Sequence, residues 1–430
     1  MNRWTIWMSF AAIFFGLSSA AQVPAGEVES LKAELRAAQE ALRTQQAVVE
    51  DLQRRMAELE ARAADPQAPS LDKKSGESYQ DALRRAEWKG GTTRLTFPRA
   101  EVRLTNRLQY RWTWTRPSDP ALEDSGAFKV RRFKTQIQGW AYTPDLTYLL
   151  QVDWANSNTS LGILDDAAVN YDFSRGRGRF QIKAGQFKTP FGRQSLASTR
   201  TDMFVDRSFV TYEFCSIRDV GLMVHGKTGP PAVPDLLEYA AGIFNGGGRS
   251  QHENPDGNYQ KNLRLVVSPW GSAGYDEASP EPAPSARLSL GAAYEENDRR
   301  LKDAQGLYAS GTKLETRGYD LLFKCGRWTA YGEYFNRRSR DAAGEVVRSD
   351  GLNAQVGFLL SPGRWEVFAG RWGLDPSRGA LGDRKVEWGL GTSLYFAGFS
   401  SKLQADWRRI RDERADAKDC EFRIQYQILF

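Results

Sequence analysis

The sequence is poor in the residues from which most enzyme sites are built. Its 430 residues include only three cysteines and two histidines. Cys215, Cys325 and Cys420 are far apart and odd in number, which fits neither a metal-ligand cluster nor a full disulfide framework. His225 and His252 lie in different segments, and no HExxH, CxxC or phosphate-loop pattern occurs. No Ser or Asp stands beside a His with a third group to orient it, as a hydrolase requires. Enzymatic chemistry is therefore not expected, and neither a metal nor a cofactor. Long apolar helices are also missing after residue 65, which argues against a large helical core.

What the chain has is aromatic residues (12%), 39 glycines and a net charge of +6. Trp, Tyr and Gly recur in stretches that alternate polar and apolar residues, the pattern of many strands. The positive balance favours anionic partners: nucleic acid, lipopolysaccharide or small anions. Residues 1–21 narrow that choice. Asn2 and Arg3, the apolar run Ile6–Leu17 and the small residues at 18–21 have the form of a secretory signal peptide, too short to span a bilayer. A protein leaving the cytoplasm is not expected to meet nucleic acid.

Residues 27–64 form an expected helix. Val28, Leu31, Leu35, Ala38 and Leu42, then Val49, Leu52, Met56, Leu59 and Ala63, recur at steps of three and four, with Gln45 the polar member of the seam. This heptad pattern predicts a coiled coil, placed in the periplasm, with a single amphipathic helix as the alternative. Residues 65–100 form a linker. It opens on the polar, Pro-containing stretch Asp65–Gly76 and carries a short helical turn over Ser78–Trp88 that Gly90-Gly91 ends.

From residue 101 to 430 the chain reads as about sixteen strands, most long enough to cross a membrane at a tilt. Alternation assigns a solvent to each face. Phe422, Ile424, Tyr426, Ile428 and Phe430 oppose Glu421, Arg423, Gln425 and Gln427; Leu108, Tyr110 and Trp112 oppose Arg107, Gln109 and Arg111. A polar face carrying long charged side chains suits a water-filled lumen rather than a protein core. Short connections alternate with long polar ones, as in barrels with short periplasmic turns and long external loops. Ser268–Ser285 breaks that rule, being long and Pro-rich where a short turn is due. The expected fold is an all-β, 16-stranded antiparallel transmembrane barrel.

Several stretches carry a resemblance. Val130-Arg131-Arg132-Phe133, Tyr148–Trp154, Leu164–Tyr171, Ile182–Gly192 (IKAGQFKTPFG), Asp202–Ser208 (DMFVDRS), Arg218–Gly226 and Ala241–Gly246 together resemble the phosphate-selective porin O and P family. The resemblance implies a trimeric porin of the Gram-negative outer membrane, in contact with lipid and lipopolysaccharide, with basic residues along its conduction path. It also implies that the third external loop folds into the lumen. By strand count the basic stretch Gln181–Ser208, which begins as strand and turns at Pro190-Phe191-Gly192, is that loop and is expected to form the constriction.

Between Gln181 and Arg218, Lys183, Lys188, Arg193, Arg200, Arg207 and Arg218 outnumber Asp202, Asp206 and Glu213. In a narrow, low-dielectric constriction such cations concentrate anions and exclude cations. Lys183, Lys188, Arg193, Ser198, Arg200, Asp202 and Arg207 are the candidate anion-binding residues. Ser195, Thr199 and Thr201 add hydroxyls that can replace water around an anion. Strand parity adds a lumen ladder of Arg103, Arg107, Arg132, Lys134, Lys402 and Arg423. The expected function is an anion-preferring diffusion channel, with phosphate suggested by the family name. The alternative is a structural anchor whose coiled coil tethers the membrane to periplasmic partners or the cell wall.

Overall fold

The computed structural model describes residues 86–156, 162–251, 253–302 and 308–430, together with Glu50 and Arg54. Apart from those two positions, the expected signal peptide, the heptad helix and residues 65–85 of the linker lie outside the described residues.

Two short strands come first, β1 (Glu87–Lys89) and β2 (Thr92–Phe97). Nine longer ones follow: β3 (Ala100–Arg116), β4 (Ser125–Ala141), β5 (Thr143–Asp153), β6 (Leu164–Asp172), β7 (Gln181–Lys188), β8 (Arg218–Thr228), β9 (Leu237–Phe244), β10 (Gln260–Val267) and β11 (Ala283–Asp298). A small hairpin, β12 (Leu301–Lys302) and β13 (Tyr308–Ser310), leads to the rest. These are β14 (Thr312–Gly326), β15 (Trp328–Asp341), β16 (Val346–Ser361), β17 (Trp365–Asp375), β18 (Lys385–Tyr395), β19 (Ser401–Asp412) and β20 (Ala417–Leu429). From β3 to β20, leaving out β12 and β13, each strand pairs antiparallel with the next, and β20 returns to β3. Sixteen strands thus close into a barrel, so its backbone groups are paired without an open edge.

The two faces have exchanged their usual roles. In β18, Leu390 is 60% and Trp388 51% exposed on the outside, whereas Glu387 on the inside is 4% exposed. The same parity buries Arg423, Gln425 and Gln427 of β20 and exposes Tyr426. Apolar residues outward and polar residues inward are what a barrel in lipid requires.

The segment before β3 differs from expectation. β1 and β2 form a hairpin where the sequence suggests a linker with a helical turn. Its role is visible in the pairing. β20 covers the edge of β3 only as far as Arg107, with Asn106 and Phe430 exchanging backbone hydrogen bonds of 2.9 and 3.0 Å. β2 takes over the same edge from Thr105 to Ala100. The edge of β3 is therefore completed by two different strands.

The connection between β7 and β8 folds inward and carries two short helices, α1 (Arg193–Leu196) and α2 (Phe209–Phe214). Its Phe191, Met203, Phe204, Val210 and Phe214 form one buried cluster with Phe335, Phe368 and Trp372 of the barrel wall. Phe204 meets Phe368 edge-on at 4.6 Å and Trp372 at 4.7 Å, and Phe214 stacks on Phe335 at 5.4 Å. Glycines make room for the rings. A Cβ at Gly351 would lie 2.4 Å from Phe214 Cε2, and one at Gly389 would lie 2.8 Å from Phe204 Cε1. A dry, apolar seat thus exists inside an otherwise polar lumen.

The Ser268–Pro282 connection also folds inward, from the opposite end. Ala278 N donates to Thr201 O (3.0 Å), and Arg193 Nη1 donates to Gly274 O (2.6 Å). Met203 N donates to Glu277 Oε2 (3.2 Å). The inward β7–β8 loop is held between the wall and this second segment. Burial, and after it the neighbouring Asp202, push the Glu277 carboxyl up to about 8.

Two outcomes follow from this packing. Gly351→Ala overpacks the Phe214 seat and is expected to destabilise the folded barrel by about 1–3 kcal/mol, read from heat-modifiable migration in detergent. For Glu277 the folded state holds its proton more tightly than the unfolded chain. Stability therefore falls as pH rises from the ordinary carboxyl value of 4.5 towards about 8. Glu277→Gln removes this part of the pH dependence, measurable from the midpoint of thermal unfolding across pH 5–9.

Candidate functional site

The space left by the two inward segments lies on the β3–β8 side of the lumen. A cavity of about 730 Å³ runs between the loop and the wall, and a second of about 230 Å³ continues from it. Five residues line both and mark the neck between them: Arg107, Lys134, Gln136, Gln151 and Ser198. Arg107 bridges the neck. Its guanidinium donates to Ser198 Oγ (3.4 Å) and Thr199 Oγ1 (3.0 Å), tying β3 to the tip of the loop.

The larger cavity is lined by nine basic side chains against three carboxylates, Asp153, Asp165 and Asp166. The carboxylates are engaged. Asp165 binds Lys134 and, at 2.5 Å, Arg249; Asp166 binds Arg218 at 2.8 Å. Four of the nine, Arg107, Lys183, Lys188 and Arg207, have no carboxylate within 4.0 Å among the described residues. Lys188 and Arg207 spend their donors on loop carbonyls, which leaves Arg107 and Lys183, the Lys183 ammonium lying over the Phe187 ring at 4.9 Å. These two retain charge directed at the water-filled space.

The DRS element has three separate tasks. Asp206 receives Arg111 (3.0 Å), Arg131 (2.9 Å) and Arg132 (2.6 Å) from β3 and β4. Burial alone would raise its pKa, yet Arg132, Arg131 and Arg111 hold it well below the usual carboxylate range. Arg207 Nη2 donates to Ala197 O (2.6 Å) and Ser195 O (3.3 Å), fixing the loop's own path. Ser208 caps α2, its hydroxyl accepting from Val210 N at 3.0 Å. The preceding KTPFG element is equally local in effect. Lys188 Nζ donates to the carbonyls of Leu196 (2.9 Å) and Ala197 (2.5 Å), and Phe191 enters the apolar seat. Gly192 takes φ 72°, and a Cβ there would lie 2.5 Å from Cys215 Sγ.

The sequence candidates divide accordingly. Lys183, Lys188, Ser198, Arg207, Arg107, Arg132 and Lys134 line the larger cavity, and Ser198 and Arg200 line the smaller one. Arg193 lies elsewhere, buried in an ion pair with Asp320 at 2.6 Å. Asp202 is buried with neither carboxylate oxygen accepting a hydrogen bond, and burial raises its pKa. Lys402 sits beneath the loop, donating to Asp202 O at 3.2 Å. Arg423 is paired with Asp406 at 2.7 Å, and Arg103 with Glu101 at 2.9 Å. Ser195 and Thr201 use their hydroxyls on carbonyls within the loop, so only Ser198 and Thr199 of the four hydroxyls reach the neck.

Arg131, Asp165 and Arg249 escaped strand parity. The register slips at Gln109/Tyr110, leaving Arg131 as the extra residue of a bulge, and at Gln151/Val152, leaving Asp165. Two consecutive side chains then turn inward, where period-two counting allows one. The doublets Arg131-Arg132 and Asp165-Asp166 were the visible signal. Arg249 comes from the β9–β10 loop and had none.

Known proteins agree with this architecture. The chain superposes on an anion-selective porin from Comamonas acidovorans with a TM-score of 0.56 at 12% identity, over 77% of this chain and 100% of that one. The outer membrane channel DcaP of Acinetobacter baumannii gives 0.54 at 11% identity, over 77% and 97% of the chains. OmpT of Vibrio cholerae gives 0.53 at 10% identity, over 78% and 100%. At such identities the likeness shows the fold alone. No curated protein sequence matches the chain. The family model for phosphate-selective porin O and P matches residues 102–405, most of the barrel and its inward loop. With the sixteen-stranded closure and the lined path through it, that match identifies an outer-membrane diffusion channel that belongs to the phosphate-selective porin O and P family.

Proposed function

We propose that the channel prefers anions, selected at the neck formed by Arg107, Lys134 and the Ser198–Thr199 tip. The observation that carries this reading is the excess of basic side chains along the cavity, with Arg107 and Lys183 unpaired by carboxylate. Fixed cations in a narrow, low-dielectric path raise the local anion concentration. Lys188, Arg200 and Arg207 add to that field, while their bonds to the loop keep it in shape. The engaged carboxylates temper it, so an anion enters without being trapped. Phosphate is a candidate permeant through family membership; small inorganic and carboxylate anions fit the same field.

We also propose a homotrimer, as one structure of Vibrio cholerae OmpT is described to be. In a trimer three N-termini lie on the same side, and the heptads at 27–64 would join them as a periplasmic three-stranded coiled coil. Lipid and lipopolysaccharide would contact the outer apolar belt and the external loops.

Planar-bilayer recordings in a salt gradient test the selectivity. The reversal potential is expected on the anion side and is expected to shrink as ionic strength rises. A cation-selective or non-conducting protein would overturn the reading, and a silent barrel would instead support the anchoring role. Arg107→Gln and Lys183→Gln each remove about 1 kcal/mol of favourable field, which is roughly a fivefold loss of anion-over-cation preference. Phosphate added to chloride solutions reduces chloride current if phosphate occupies the neck. Deleting residues 27–64 is expected to dissociate the trimer on native gels while leaving single-barrel conductance.

A further inference from the structure

The Ser268–Pro282 connection belongs to the turn end of the barrel, yet its middle is buried. Glu277 and Ala278 are 0% and 1% exposed. It is tied to the wall as well as to the loop. Ala273 N donates to Ser289 Oγ (3.0 Å), Gly363 N donates to Pro280 O (2.7 Å), and Tyr275 bonds Glu238 through its hydroxyl. The Tyr275 ring receives Arg193 and Arg264 at 5.0 and 5.9 Å.

The wall behind it is polar, as if built to face water. Glu333, Asn353, Gln355, Glu366 and Ser393 point inward from β15–β18, and all are buried. Glu366 Oε1 accepts from Ser279 N at 3.4 Å, and Glu333 Oε1 accepts from Gln194 N at 3.2 Å. The connection and the constriction loop meet over these groups and exclude solvent from them. Charge differs between the two sides. The open side is strongly basic. On the covered side Asp320, Glu333, Glu366 and the connection's own Glu277 are set against Arg193, Arg264, Lys324 and Lys402, with Asp320 held by Arg193 at 2.6 Å and Arg264 at 2.7 Å.

We propose that the Ser268–Pro282 connection is a selectivity-determining part of the channel: it seals the charge-balanced side of the lumen and so confines ions to the basic side. Without it a second path opens in parallel, one whose walls discriminate little between cations and anions. The selectivity arm of this proposal rests on the anion preference proposed above; the conductance arm does not.

The test replaces Ala273–Ser279 with Gly-Ser-Gly in the full chain and records single channels. Folding is checked by heat-modifiable migration. The expected result is a conductance at least about twofold above that of the unaltered protein, with the anion-over-cation permeability ratio falling towards one as the second path carries current. Ala278→Arg, which keeps the chain length, forces a long charged side chain into a position that is 1% exposed against the constriction loop and is expected to give the same changes in part. It serves as the test if the replacement does not fold. Unchanged conductance in a folded variant overturns the seal. Raised conductance with an unchanged permeability ratio overturns the selectivity role. If the unaltered channel shows no anion preference, the earlier reading fails while the conductance comparison still decides the seal.

Discussion

Burial of the Phe204 ring between Phe368 and Trp372 keeps the constriction loop inside the barrel. A segment folded into a water-filled lumen loses chain entropy, so it must gain contacts that water cannot offer. Each fully buried aromatic ring contributes about 1.5–3 kcal/mol, and the loop brings Phe191, Phe204 and Phe214 to the same side of the wall. The wall accommodates them because Gly351 and Gly389 present no side chain where the rings lie. The polar side of the loop is settled separately. Asp206 draws three arginines onto one carboxylate, which leaves a buried charge fully compensated rather than isolated.

That asymmetric seat decides where ions can pass. With the loop against β15–β18 and the Ser268–Pro282 connection beneath it, open space remains along β3–β8. The charged residues there do different work although they look alike in composition. Lys188 and Arg207 spend their donors on loop carbonyls and act as struts. Arg132 is bound by Asp206, and Lys134 by Asp165. Arg107 reaches the hydroxyls of Ser198 and Thr199, and Lys183 lies over the Phe187 ring, neither within reach of a carboxylate. A positive lumen is thus assembled from many cations, most of which are bound to the protein itself.

The barrel was legible because its physical signal repeats. The sixteen strands expected from alternation and turn residues are the sixteen that close the barrel, whereas the β1–β2 and β12–β13 hairpins were not foreseen. By the same alternation Arg107, Arg132 and Lys134 share the polar face, and all three line the larger cavity. It failed where periodicity fails: at the bulges that turn Arg131 and Asp165 inward beside Arg132 and Asp166. It also gave no warning that part of the inner wall is apolar, because Phe335, Phe368 and Trp372 contradict the expected lumen face. Arg193 looked like a pore residue in sequence, and only its pairing with Asp320 across 127 positions shows otherwise. Arg338–Asp350, whose polar composition suggests a long external loop, is instead extended strand up to a tight turn between Asp341 and Val346.

The shared edge of β3 bears on how the molecule is put together. One stretch of that edge is taken by β20 and the other by β2, and the two are separated in sequence by the whole barrel. A ring fastened only by its last strand would leave Ala100–Thr105 paired to β4 alone, with its other edge open. The hairpin that supplies β2 is among the earliest parts of the body to be synthesised, yet Ser400 holds its Gly90 carbonyl at 2.7 Å, and Ser400 is reached only near the end. The seam therefore joins early and late chain, and a truncated barrel that lacks either partner leaves part of the β3 edge open.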